Sequence, residues 1–292
     1  RGPSDHETTI LENPITELKT MEASDNHAKA AADRQWDLMR ASFDGDWQGT
    51  TTWYGRNGDG MNMKQGTVNP EASLYAIRFS DAHTGEWHGT GLRFAPGGER
   101  RFPLSRHNYN ISHNCWHFPQ TAGQSSLQMA GSVARAGHEV NFFSGRSRSM
   151  LVALYQQQPD GQMLLDSIAA TPFRCQRTSP DPERAQFQSL EAVFETVFGW
   201  QGVESVIRPG FSSGIATSEQ RLAPFCREWF IKNEVNGLFA DNLICSLPES
   251  LPKHSFDLHF GCILDRQNFV HLTMEFDANH NLLDAFLASP LN

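Results

Sequence analysis

Phe43-Asp44-Gly45-Asp46-Trp47-Gln48-Gly49 decides the reading of this chain, because its core returns as Phe198-Gly199-Trp200-Gln201-Gly202. The two Trp-Gln-Gly copies stand 153 residues apart (200 − 47). Each follows a segment of helical periodicity and opens a run of short alternating segments, so the spacing predicts one architectural unit used twice.

Working outward, residues 1–23 carry Pro14 and scattered polar residues without a sustained period, and read as an extended lead-in. From Ser24-Asp25, a helix-capping pair, the Ala-rich stretch to about Ser42 sets Trp36, Met39 and Phe43 on one face at i, i+3, i+7. After Trp47 come Thr50-Thr51-Thr52-Trp53-Tyr54 and the turn signal Asn57-Gly58-Asp59-Gly60. From there to Pro180, short strands are predicted near 61–69, 73–80, 86–94, 114–118, 124–130, 137–144, 148–157 and 161–171. Ser144-Gly145 and Pro159-Asp160-Gly161 mark tight turns among them. Many short strands without intervening helices favour a closed up-and-down barrel over a doubly wound sheet.

Ser179-Pro180-Asp181-Pro182-Glu183 is the predicted boundary, a Pro-rich break followed by an Asp cap and a first-turn Pro. It divides a first unit, 24–178, from a second, 182–292. Phe187, Leu190, Phe194, Val197 and Phe198 then form a helical stripe. The last hairpin alternates Phe256, Leu258, Phe260, Cys262 and Leu264 with Asp257, His259 and Asp265. It turns at Arg266-Gln267-Asn268 and returns with Val270, Leu272, Met274 and Phe276 on one face.

The bulk numbers suit two globular units: 292 residues, 39% hydrophobic and 20% charged. No stretch reaches the roughly 18–20 apolar residues of a transmembrane segment. Lys and Arg number 24 against 33 Asp and Glu, a net charge of −9, which argues against a nucleic-acid partner. Only five of those cations are Lys, and 14 of the 19 Arg precede residue 180, a bias that fits ion pairs or an acidic ligand in the first half, or merely genomic composition. Five cysteines without CxxC spacing predict reduced, buried thiols. The chain opens at Arg1 without Met, and Gly2-Pro3-Ser4 resembles a cleavage scar, so removal of a targeting segment or of an expression tag is expected.

With helix, Trp-Gln-Gly strand and antiparallel strands in place, both halves resemble the calycin superfamily of lipocalin-like barrels. There a Gly-x-Trp opens the first strand, and an Arg from a late strand packs on the Trp. Gly45-Asp46-Trp47 fits; in the second half Gly199 precedes Trp200 directly, one residue off. Trp116-His117-Phe118-Pro119, Gln124-Ser125-Ser126-Leu127-Gln128, Gly137-His138-Glu139-Val140-Asn141-Phe142 and Gly145-Arg146-Ser147-Arg148-Ser149-Met150 more closely resemble an uncharacterised two-barrel calycin family of cyanobacteria and algal plastids. That family is distantly similar to phycobiliprotein lyases. The resemblance covers about 33–174 well and 187–292 thinly. It implies two lipocalin-like antiparallel β-barrels in tandem, each preceded by a short helix, and a photosynthetic, plastid (chloroplast) setting. The lyase role does not carry over residue by residue.

Trp47 and Trp200 are expected to plug barrel ends, with Arg174 capping Trp47 through its π face. Arg106-His107-Asn108-Tyr109 and His113-Asn114-Cys115-Trp116-His117 form the densest polar–aromatic cluster. Its spacings fit no standard zinc pattern, so no metal is assigned; the choice lies between imidazole ligation of a chlorin magnesium and a hydrogen-bonded rim. Arg146 and Arg148, two apart on a strand, share a face, where they hold either ligand carboxylates or cross-strand partners such as Glu139. Arg146, Arg148, Arg106, His107, Trp116 and His117 are the expected ligand-binding residues, and no catalytic residue is assigned, because no nucleophile elbow, HExxH, P-loop or dinucleotide fingerprint is present. The expectation is a non-enzymatic binding protein for a hydrophobic, acidic ligand: a tetrapyrrole or carotenoid pigment, or a fatty acid. The alternatives are a soluble or peripherally attached accessory subunit docked on a photosynthetic membrane complex, and a bilin-lyase-like or isomerase enzyme.

Overall fold

The computed structural model describes residues 26–92, 95–109, 115–129, 133–179, 181–208, 216–221 and 223–291. The lead-in 1–23 and His113 lie outside them. The chain is mainly β, built from two curled antiparallel sheets, each entered through a helix.

The lead helix, Asn26–Phe43, buries Trp36, Met39 and Phe43 on the predicted stripe. It delivers β1 (Gly45–Gly49), which pairs with β5 (Ser73–Phe79) on one side and β12 (Met163–Cys175) on the other. From β5 the sheet runs through β6 (Thr84–Thr90) to β7 (Arg100–Ser105). From β12 it runs through β11 (Ser147–Gln157), β10 (Arg135–Ser144) and β9 (Thr121–Ser125) to β8 (Cys115–His117). The short strand β2 (Thr52–Asn57) attaches along β12, and β3 (Gly60–Met61) and β4 (Thr67–Val68) pair with β2. Gly145 takes φ 56° at the β10–β11 turn and Gly161 takes φ 87° at the β11–β12 turn, the left-handed backbone that the predicted turns require.

The second helix, Leu190–Val197, begins later than the Asp-Pro signal suggests: the Ser189 hydroxyl caps it by accepting from the Ala192 amide. Its stripe ends at Val197, since Phe198 is 69% exposed. It leads to β13 (Gln201–Ile207), and the second sheet runs β14 (Ala216–Arg221), β13, β19 (Leu282–Leu291), β18 (Asn268–Phe276), β17 (Phe256–Asp265), β16 (Leu243–Leu247), β15 (Val235–Leu238). Among the described residues the outer strands of each sheet, β7 with β8 and β14 with β15, are not paired to one another, so each sheet stands as a half-barrel where full closure is predicted. No helix among the described residues is long and apolar enough to cross a membrane.

Alternation along β11 explains how the sheets meet. Met150, Val152 and Leu154 join Trp36, Trp47, Tyr75 and Phe173 in a core beneath the lead helix. Leu151, Ala153 and Tyr155 turn the other way, into a core shared with Leu258, Phe260, Leu272 and Met274 of the last hairpin. A third core, around Phe194, Phe225, Phe230 and Phe269, covers the far face of the second sheet. The two sheets therefore pack back to back. Main-chain bonds stitch the layers, including Leu165 N to Glu249 O at 2.8 Å and Leu251 N to Met163 O at 3.0 Å, and the Tyr155 hydroxyl donates to Pro248 O at 2.6 Å.

Candidate functional site

The arginine pair of the first half faces one core but does not converge on an open space. The Arg146 guanidinium lies 4.8 Å from the Trp47 ring centroid and donates to Asp44 O at 2.5 Å and Cys175 Sγ at 3.2 Å. Trp47, fully buried, donates through Nε1 to Phe43 O at 2.8 Å, so ring, cation and helix end lock together. Arg146, not Arg174, thus caps this tryptophan. The reason is register: Trp47 stands opposite Cys175 and Gln48 opposite Arg174, so the pleat turns Arg174 to the other face. Arg148, 2% exposed, sits among Phe43, Tyr75 and Phe173 at 4.7, 5.6 and 5.1 Å and donates through Nε to Asn141 Oδ1 at 2.7 Å.

The second predicted cluster disperses. Arg106 pairs with Asp33 at 2.9 Å and Asp37 at 2.8 Å, clamping the lead helix to the sheet, and His107 is exposed on the single helical turn that follows. Trp116 is buried in the core between the sheets, donating to Ser125 Oγ at 2.9 Å. The His117 ring packs edge-on against Phe43, and burial lowers its pKa to about 3. Its main chain is held at both groups by Gln35 of the lead helix. Trp200 packs half-buried against the core of the second half.

An arrangement with room for a ligand lies at the junction. A groove of about 740 Å³ runs between the β10–β11 turn, the connector 181–187 and the β17–β18 turn. The connector is fixed to both sheets. Asp181 Oδ2 accepts from the Arg146 amide at 2.6 Å and from Ser147 Oγ at 3.0 Å, and Asn242 accepts from Phe187 N at 2.9 Å and donates to Ala185 O at 3.0 Å. Beneath it, Asp241 takes both prongs of the Arg174 fork at 2.7 and 2.8 Å and the Ser149 hydroxyl at 2.8 Å. Burial alone would raise the Asp241 carboxyl; Arg174, with Arg184 and Ser149, outweighs it and holds the group below the usual carboxylate range. Asp241 and Asn242 both adopt φ 61°, the backbone kink that aims them at the connector.

Pro182, Phe187, Ile263 and Leu264 give the groove apolar walls, while Arg184 and Arg266 supply cations. Arg184 is anchored through Nη1 to Ser149 Oγ at 3.0 Å and Asp241 O at 3.2 Å, and its buried Nη2 has no hydrogen-bond partner. An anchored guanidinium beside apolar walls suits a carboxylate on a hydrophobic body. Sequence reasoning passed over Arg184 because it lies in the irregular connector, where no periodicity assigns a side chain a direction.

A crystal structure of a protein of unknown function from the DUF3598 family of the cyanobacterium Nostoc punctiforme PCC 73102 superposes on this chain with a TM-score of 0.63 at 13% identity, covering 88% of this chain and 98% of that one. At that identity the likeness speaks for the fold alone. No family model matches the sequence. No curated protein matches it either.

Proposed function

We propose that the chain is a non-enzymatic binding protein for a hydrophobic, acidic molecule, a tetrapyrrole or carotenoid pigment or a fatty acid, in a photosynthetic setting. The junction groove carries this reading: its volume falls in the usual range for small-molecule sites, and Arg184 offers an anchored cation between apolar walls. We further propose that the two half-barrels are a calycin-type pair, with the Trp47–Arg146 lock as the closing device. Arg146 and Arg148 serve in this account as structural cations, and the carboxylate-reading role passes to Arg184.

A second reading, a soluble accessory subunit docked on a photosynthetic complex, is favoured by the dense aromatic filling of the first half, where Trp36, Trp47 and Phe173 are fully buried. Solvent extraction of the protein purified from its natural source, followed by absorption and mass spectrometry, separates the two. A stoichiometric amphipathic acid supports the carrier; a clean extract, with co-migration of the protein on a membrane complex, supports the docked subunit.

A further inference from the structure

We propose that His259, His271 and Thr273 form a binding site for a divalent transition-metal ion of the zinc or copper type, on the aromatic face of the second sheet. The inference is independent of the junction groove.

The hairpin places the donors. In the β17–β18 register His259 stands opposite Thr273, and Gly261 stands opposite His271. Strand alternation therefore puts all three side chains on the face away from the core between the sheets. Gly261 lets the Phe230 and Phe269 rings close over this face, since a Cβ there would meet them at 3.1 and 3.2 Å. His259 Nδ1 and His271 Nε2 lie 2.9 Å apart in a hydrogen bond, and Thr273 Oγ1 is 3.3 Å from each, so a bound ion would replace the proton the two rings share. A cation held about 2.0–2.1 Å from each donor needs donor separations of roughly 2.9–3.4 Å, between octahedral and tetrahedral angles. The observed triangle has those edges.

The surroundings suit neutral imidazole ligands. The rings are 3% and 6% exposed, and the Phe230 ring lies 5.8 and 4.9 Å from them. The other nitrogen of His259, Nε2, faces Asp257 Oδ2 at 3.9 Å and has no hydrogen-bond partner. A carboxylate behind a metal-binding imidazole is the usual means of fixing its tautomer and raising its basicity. Among the described residues no three His, Cys, Asp or Glu side chains converge. Two imidazoles and a hydroxyl thus leave coordination positions to water or to a donor from a small ligand, as in open rather than closed zinc sites.

The test is equilibrium dialysis of the full chain against Zn²⁺, Cu²⁺ and Mg²⁺ as bare ions, with Cu²⁺ electron paramagnetic resonance. The expected result is one equivalent of Zn²⁺, tighter Cu²⁺, no Mg²⁺, and hyperfine coupling to two nitrogens. His259→Ala and His271→Ala should each weaken binding by more than about 100-fold and Asp257→Asn by about 10-fold, with His254→Ala unchanged. Failure of the folded protein to bind Zn²⁺ or Cu²⁺ would overturn the site, as would undiminished binding in both histidine variants, which would assign the ion to surface imidazoles. If those variants do not fold, the copper spectrum of the unaltered protein decides: a signal without two imidazole nitrogens ends the proposal.

Discussion

Asp241→Asn isolates the charge that fastens the two sheets at the groove. Asparagine tolerates the φ of 61° as aspartate does, so the backbone kink survives while the anion is lost. Arg174 then keeps one neutral acceptor in place of a carboxylate at 2.7 and 2.8 Å. Removing one partner of a fully buried pair costs about 3–5 kcal/mol. The side chains here are 20% and 8% exposed, so water recovers part of the stranded Arg174 charge, and a loss of about 2–3 kcal/mol is expected. At about 2.1 cal/mol/K of unfolding entropy per residue over 292 residues, that lowers the melting temperature by about 3–5 °C. Asp241→Ala should fall about 1 kcal/mol further, because alanine resists the left-handed backbone. Urea and thermal melts of both variants, with Arg174→Gln and the double variant closing a cycle, measure these terms. A loss under about 0.5 kcal/mol for Asp241→Asn, or a cycle with no coupling, would refute the reasoning.

Acid should destabilise the protein well before its carboxylates titrate. Burial holds the His117 and His138 pKa values at about 3, whereas in the unfolded chain they return to about 6.5. Below about pH 6.5 the unfolded state therefore binds protons that the folded state refuses, and stability falls by up to about 1.4 kcal/mol per pH unit for each residue until the folded pKa is reached. Urea midpoints taken from neutral to mildly acid pH should drop steadily and more gently in His138→Gln; a flat profile contradicts the burial. The shared core also predicts that the first half, expressed as residues 26–178, gives no cooperative unfolding transition, since Leu151, Ala153 and Tyr155 would face water. A sharp transition in that fragment would mean that the units are independent.

Much of the local architecture is legible in the sequence. Gly145 and Gly161 mark turns because only glycine enters those backbone regions cheaply, and the Phe256–Leu264 alternation marks a strand because its period is two. The back-to-back packing is not legible, although Met150–Tyr155 reads as a continuous apolar run, the sign of a strand buried on both faces. What covers the second face is a long-range matter, settled more than a hundred residues later by Leu258 and Phe260. From sequence Arg174 reads as the partner of Trp47, and a single step of register turns it away and leaves that place to Arg146. His259 and His271 could have been placed on one face from the apolar alternation of the two strands, whereas the bulge between Ile263 and Asp265 that sets their register is not legible in the turn residues.

The ligand claim is tested most directly by titrating the full chain with an amphipathic carboxylic acid, fatty or pigment-derived, and with its methyl ester, in the unaltered protein and in Arg184→Gln. If Arg184 reads the carboxylate in the junction groove, the acid binds at least about 10-fold tighter than the ester, and Arg184→Gln removes most of that preference while leaving ester binding nearly unchanged. Equal affinity for acid and ester in the unaltered protein, or a preference that survives the loss of Arg184, would contradict the account.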